Sequence, residues 1–478
     1  MDDKKLVLLH TNDIHSHFER MPQVGSALEQ LRSRQRSSEL IVIDCGDHMD
    51  RMRPETEGSS GLANIAVLNA TGYDLVVPGN NEGLTFTPEQ LGVAYTQRNG
   101  FSVVCGNLSD KDTGEAPPWM EPYRILDKNG LRVGIIGLTA YYPDFYTLLG
   151  WNISDPYETA VRLTELLRPD VDVLVVVSHL GLMHDKAMAE QINGIDVILG
   201  SHTHHLLEEP LFLNGTYIAA AGCFGKHVGE LEFAYRMADK QLRLVKGLIW
   251  ETDRFPPSAR LETIIAEEEQ RSSDRLTLAV ARLEQPLYIR WESESPLGNL
   301  LASGLRNWTG AEIGLVNGGQ ILQSLEEGTV TQYRLLEICP PPINPCLIRL
   351  PGHELRLALE EALLDEFILK PIKGFGFRGK LLGTLCVSGL RIEYAAEAEP
   401  YRKIRSVTVN GESLDEQRMY NVGTIDMFTF GIGYMSLSRG QIVQYYLPEF
   451  IRDVLGDQLQ NEEELQLCSD RSWFPVSD

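Results

Sequence analysis

The chain has 478 residues, 43% of them hydrophobic and 23% charged, and a formal net charge of −24. That length exceeds one ordinary hydrophobic core and predicts two domains. So acidic a surface excludes binding along DNA or RNA backbones, though not a small phosphorylated substrate, because bound divalent cations reverse the local sign of a site.

The opening Met-Asp-Asp-Lys-Lys leads into only four apolar residues, Leu6 to Leu9. This is too short for a secretory leader or a membrane span. Apolar runs then recur at Ile41–Ile43, Leu75–Val77, Ser102–Cys105, Val133–Leu138, Val173–Val177 and Val197–Leu199, separated by amphipathic stretches. Buried strands alternating with helices predict a layered α/β domain over residues 1–255. A Pro256-Pro257 break follows, and Ser258 is placed to cap a charged helix that opens a linker over 256–282. A second alternating α/β region, 283–478, carries Ile313–Val316, Cys346–Leu350, Leu385–Val387, Ile404–Val409 and Tyr420–Gly423. The seven Cys are odd in number and form no C-x-x-C pair, which points to a reducing, cytoplasmic setting without a disulfide framework.

Ten of the eleven His lie before residue 230. Polar residues also collect where the predicted strands end. Asp13 and His15 follow the first run, Asp47 the second and Asn80 the third; His179 follows Leu-Val-Val-Val-Ser, and His202 and His204 follow Val-Ile-Leu-Gly-Ser. Strand carboxyl ends are where open α/β sheets bind ligands. Alone, Asp-x-His after a strand is usually a turn with a helix cap, Gly-Asp is more often a turn than a ligand, and His-Thr-His fits a surface loop. Together they offer carboxylate, imidazole and amide oxygen, a donor set suited to two divalent ions such as Mn, Zn, Fe or Co, with a shared carboxylate holding them about 3.5–4 Å apart.

The order Asp-x-His, Gly-Asp, Gly-Asn-x-Glu, Ser-His, Gly-x-His-x-His resembles the calcineurin-like metallophosphoesterases. The flanks His10-Thr-Asn-Asp-Ile-His-Ser-His, Gly72-Tyr-Asp-Leu-Val-Val-Pro-Gly-Asn-Asn-Glu and Gly200-Ser-His-Thr-His resemble the 5′-nucleotidase family. The resemblance implies that Asp13, His15 and His204 hold one ion, that Asn80, His179 and His202 hold the other, and that Asp47 bridges. It also implies hydrolysis of a nucleotide phosphoester by a hydroxide held between the metals. In the family, a His directly after the metal-binding Asn, oriented by an Asp three positions on, serves the leaving group. Here those positions are Asn81 and Leu84. Asn81 can bond a phosphate oxygen but cannot act as a general acid. Three explanations are open: another group such as His48, His17 or His205 supplies the proton, the substrate has a good leaving group such as a phosphoanhydride or an activated ester, or the protein is slow or inactive and keeps metal for binding.

The second region resembles the substrate-binding domain of the same family through Glu294-Ser-Pro-Leu-Gly-Asn, Ile313-Gly-Leu-Val-Asn-Gly-Gly-Gln-Ile, Val387-Ser-Gly-Leu and Tyr420-Asn-Val-Gly-Thr. Family members swing this domain to bring substrate to the metals. The residues implied for substrate are Asn317, Gly319, Asn344, Phe428 and Phe430. The family's phosphate-pairing Arg is Leu322 here, and its base-stacking aromatic is lost from Pro341-Pro-Ile-Asn344. Three readings follow: a nucleotide hydrolase; a hydrolase of cyclic phosphodiesters or nucleotide sugars; and a catalytically weak metal- and nucleotide-binding protein. Gly374-Phe-Gly-Phe-Arg-Gly-Lys380 approaches a phosphate-binding loop but has Leu381 where a hydroxyl is needed, and Cys45 reads as packing. No membrane or nucleic-acid partner is expected, and the oligomeric state is left open.

Overall fold

The computed structural model describes residues 3–374 and 376–476. The chain divides into two compact units, Met1–Arg275 and Leu276–Asp478.

Two six-stranded sheets build the first unit. One runs, edge to edge, Gln241–Glu251, His227–Arg236, Lys4–Thr11, Leu40–Asp44, Leu75–Val76 and Ser102–Val103; the other runs Leu211–Leu213, Thr216–Ala219, Val197–Gly200, Val173–His179, Leu131–Thr139 and Tyr123–Lys128. Each of the seven predicted apolar runs lies on one of these strands or reaches just past its end. Lys4–Thr11, Leu40–Asp44, Leu75–Val76 and Ser102–Val103 are parallel neighbours. So are Leu131–Thr139, Val173–His179, Val197–Gly200 and Thr216–Ala219.

Leu6, Leu8, Ile41 and Ile43 from one sheet meet Val133, Val175, Val177 and Leu199 from the other in a single core. The outer face of the second sheet is covered by Ala160, Leu163 and Leu167 of helix Pro156–Leu167 and by Met188 and Ala189 of helix Leu182–Gln191. With both faces of each central strand covered, the sequence shows unbroken apolar runs rather than alternation.

The paired strands His227–Arg236 and Gln241–Glu251 do not show as runs because they alternate. Their buried acid, Glu230, is 1% exposed and accepts from Lys246 Nζ and Trp250 Nε1, each at 2.8 Å. Buried charge of this kind is tolerated only when paired.

The helix expected after Pro257 spans Ala259–Leu276. It is docked on the first unit rather than free-standing. Leu261 is 2% exposed and fills the space over Gly25, and Ser272 Oγ donates to the Glu55 carbonyl.

In the second unit a five-stranded sheet runs Leu385–Ser388, Ile313–Asn317, Met419–Ile425, Pro345–Pro351 and Gln441–Tyr445. A four-stranded sheet includes Leu390–Tyr394 and Ile404–Val409. Helix Pro296–Thr309 buries Leu297, Leu300, Leu301 and Leu305 against the larger sheet. The Glu294-Ser-Pro-Leu-Gly-Asn segment that opens this helix is a clamp. Glu294 accepts the backbone N–H of Ser472 and Trp473, and Asn299 Nδ2 donates to the Cys468 and Asp470 carbonyls. The glycine-rich loop 374–380 precedes a strand and opens no helix; its Phe375 lies outside the described residues. Among the described residues no helix is long and apolar enough to cross a membrane.

Candidate metal centre

The parallel strands of both sheets deliver their carboxyl ends to one place. Asp13 and His15 leave the strand Lys4–Thr11, Asp47 leaves Leu40–Asp44, and His179 ends Val173–His179; His202 and His204 follow Val197–Gly200. Two groups result. Potential ligand atoms of Asp13, His15 and His204 lie within 4.8 Å of one another, as do those of Asp47, His179 and His202.

The groups touch. His15 Nε2 is 3.1 Å from His204 Nε2 and 3.7 Å from Asp47 Oδ2, which is itself 3.2 Å from His179 Nε2. One oxygen of Asp47 therefore reaches both groups. Asp13 Oδ1 likewise lies 3.7 Å from His204 and 3.9 Å from His179.

The backbone is strained to achieve this. Asp13, His15, Asp47, His202 and His204 have φ of 47, 49, 52, 72 and 56°. Left-handed conformations at non-glycine residues cost of order 1–3 kcal/mol each and cluster at functional sites. Gly46, at φ 99°, and Gly79 allow the approach: a Cβ on Gly79 would lie 2.1 Å from Asp47 Oδ1.

Each side chain is also aimed by a partner. His179 Nδ1 bonds the Cys45 carbonyl at 2.9 Å, leaving Nε2 to face Asp47. Asp13 accepts from Ser201 Oγ at 2.7 Å and from the His202 N–H at 3.0 Å. The Asp47 carboxylate accepts the Asn81 N–H at 2.8 Å. Orienting bonds of this kind fix the tautomer and direction of metal ligands.

Glu82, 1% exposed, ties the loops together. Its carboxylate accepts the N–H groups of Gly79 (2.8 Å), Asp47 (3.1 Å) and Met49 (2.8 Å). Burial, then Asp47, raises the Glu82 carboxyl to about 7. His179 is pushed up to about 10: burial opposes the shift, but Asp47 and Asp13 outweigh it. His202 is drawn down to about 4 by burial and by His179.

The donor set fits divalent ions, and the structure carries a sign of it. Asn80 Oδ1 is buried without a hydrogen-bond partner. Orphaned polar atoms in a packed interior call for an explanation such as an ion.

The other expected residues are placed differently. The Asn81 side-chain amide lies 2.8 Å from His15 Nδ1, with Asp50 Oδ2 at 3.3 Å from the same nitrogen. His48 does not reach solvent. It is 1% exposed, bonds Asn64 through Nδ1, and burial lowers it to about 3, so the ring is neutral at pH 7. In the second unit, Asn317 is spent on the Leu382 carbonyl and Gln320, and Asn344 on the Glu449 carbonyl. Phe428 is fully buried against Tyr434. Gly319 lines a mostly apolar cavity of about 420 Å³ with Trp291, Leu322 and Leu381, which Arg378 and Lys380 also border. Phe430 is 42% exposed.

The sequence assigns no role to Asp50 and Phe224, or to Glu82 and Ser201, which stand inside the Gly-Asn-x-Glu and Gly-x-His-x-His motifs. Glu82 had a signal, an acid at the third position of a helix start. Phe224 had none: its ring packs on His15 (5.6 Å), His17 (4.4 Å) and His204 (5.3 Å) from a left-handed backbone at φ 61°.

Comparison with known proteins agrees with this architecture. Residues 6–206 match the family model of calcineurin-like phosphoesterases, and residues 278–438 match the 5′-nucleotidase C-terminal domain. An uncharacterised metallophosphoesterase of Bacillus subtilis strain 168, YunD, is 37% identical over 460 residues, 95% of this chain and 99% of that one. A 5′-nucleotidase of Vibrio cholerae is 24% identical over 405 residues, covering 70% of this chain and 71% of its own. In fold, the chain is similar to the NAD nucleotidase of Haemophilus influenzae, with a TM-score of 0.69 at 17% identity over 100% of this chain and 99% of that one. The chain belongs to the calcineurin-like metallophosphoesterases that carry a 5′-nucleotidase C-terminal domain, hydrolases of phosphoester bonds.

Proposed function

We propose that the chain hydrolyses phosphoesters of small nucleotides at a two-ion centre held by Asp13, His15 and His204 on one side and by Asn80, His179 and His202 on the other, with Asp47 shared. The observation that carries this reading is the position of Asp47 Oδ2, within 3.7 Å of His15 and 3.2 Å of His179. Divalent ions there would supply Lewis acidity toward a phosphoryl oxygen and an activated water.

The chain's own residues do the rest. His179 and His15 are fixed by Cys45 and Asp50 so that their Nε2 atoms face inward. His204, exposed at the rim beside buried Asp13 and His15, marks the side from which substrate enters. The free cysteines support a reducing, cytoplasmic setting.

A second reading concerns the ester. Asn317, Asn344 and Phe428 are bonded or buried, and Leu322 stands on a mostly apolar cavity wall. These positions favour a substrate other than the nucleoside monophosphate the family suggests, such as a cyclic phosphodiester or a nucleotide sugar. A hydrolysis panel of nucleoside monophosphates, cyclic nucleotides and nucleotide sugars in Mn²⁺ separates the two. Turnover of monophosphates supports the first, turnover confined to the other esters the second, and turnover of none removes both.

A further inference from the structure

Asn81 is turned onto His15, Leu84 is apolar and His48 is buried, so none of these three positions offers a proton to the leaving oxygen. We propose that the hydroxyl of Tyr142 meets the leaving oxygen of the substrate and donates a proton to it. The inference rests on the hydrolase reading above.

The placement follows from strand register. Leu131–Thr139 runs parallel to Val173–His179, and Thr139 pairs directly with His179. The chain therefore leaves the sheet level with a candidate metal ligand, three residues before Tyr142. Helix Pro143–Leu148 begins there, with Tyr142 as its N-terminal cap.

That helix is locked to the one bearing Asn80 and Asn81. Tyr146 is fully buried and its hydroxyl lies 3.4 Å from Thr139 Oγ1. Its ring occupies the space over Gly83, where a Cβ would lie 2.6 Å from Tyr146 Cε1. Tyr142 stands one turn earlier, its carbonyl accepting the Tyr146 N–H at 3.1 Å. It is half-buried, and among the described residues no hydrogen bond engages its hydroxyl. Burial, then the carboxylate of Asp47, raises its pKa, so the hydroxyl keeps its proton at neutral pH.

Two rival donors are His205 and His17. His205 is exposed and its Nδ1 lies 2.8 Å from Thr203 Oγ1. His17 is drawn below its ordinary value by burial, and Nδ1 is bonded to Glu19 at 2.6 Å, so the neutral ring has no proton to offer at Nε2.

The step balances. Water adds its oxygen to phosphorus and loses a proton to solvent. The bond from phosphorus to the leaving oxygen breaks, its electron pair stays on that oxygen, and the Tyr142 proton passes there. The phenolate regains a proton from solvent.

The test compares wild type with Tyr142→Phe, both loaded with Mn²⁺, on two esters of the type the wild type turns over, one with an alkoxide and one with a p-nitrophenolate leaving group. Loss of a general acid should lower kcat on the alkyl ester by about 10²-fold, and on the aryl ester by no more than about 3-fold, because p-nitrophenolate leaves without a proton. Metal content should not change. Equal losses on both esters, or no loss on the alkyl ester, would overturn the assignment to Tyr142. If the metal-loaded wild type hydrolyses neither ester, the hydrolase reading fails and this inference falls with it.

Discussion

The side-chain amide of Asn81 lies 2.8 Å from Nδ1 of His15, so the residue at the position where the family resemblance implies a proton donor contacts a candidate metal ligand instead. Its backbone N–H meanwhile bonds Asp47. Asn81 thus supports both groups at once, from the first turn of one short helix. Removing its side chain should leave His15 oriented by Asp50 alone. Asn81→Ala is expected to weaken Mn²⁺ binding by about 10–100-fold, the usual cost of losing an orienting partner. Calorimetric titration checks this; unchanged affinity would show that the contact does not orient His15.

Gly79 tests the geometry more harshly. A Cβ there would lie 2.1 Å from Asp47 Oδ1 and 2.5 Å from its backbone nitrogen. Gly79→Ala should displace Asp47, abolish metal-dependent turnover and leave the circular dichroism spectrum unchanged. Full activity in this variant would place Asp47 outside the reaction.

Glu82 is predicted to act on stability. Its carboxylate satisfies three buried backbone N–H groups, and each left unpaired costs about 1–3 kcal/mol. Glu82→Ala should destabilise the full chain by several kcal/mol, seen as a lower midpoint in urea. Glu82→Gln, which keeps one good acceptor, should fall between the two.

Asp426 sets a pH dependence in the second unit. Burial raises its carboxyl to about 7, against the bond from the Asn344 N–H. A raised acid is disfavoured when ionised, so the native state loses stability as pH climbs from about 4, where the unfolded chain ionises, to about 7, and is level above that. Asp426→Asn removes this loss. The variant should match wild type near pH 4 and exceed it by up to about 4 kcal/mol at pH 8. Thermal unfolding of both chains across that range checks the sign; a variant less stable at pH 8 would contradict it.

The placement of the candidate ligands was legible because a divalent-ion site at strand ends would be fixed by chemistry as well as by packing. Asp13, His15, Asp47, Asn80 and the three later His each follow an apolar run, and a buried strand is the most readable element in a sequence. The strands His227–Arg236 and Gln241–Glu251 were not legible, because alternating patterns around Glu230 and Lys246 look like polar loop. Second contacts were harder still. That Asn81 faces His15, or that Phe224 packs on three imidazoles, depends on backbone angles such as φ 61° that no residue type announces. The second unit misleads for the same reason: Asn317 and Asn344 stand at the positions the resemblance marks, yet their amides are occupied by backbone carbonyls.

The account depends most on two ions sharing Asp47. Metal content and Mn²⁺-dependent phosphoester hydrolysis should be measured together on wild type and on Asp47→Ala. The expected result is two divalent ions per chain in the wild type, fewer in the variant, and turnover lost in the variant alone. A wild type that binds no metal, or an Asp47→Ala chain that keeps both ions and its activity, would contradict it.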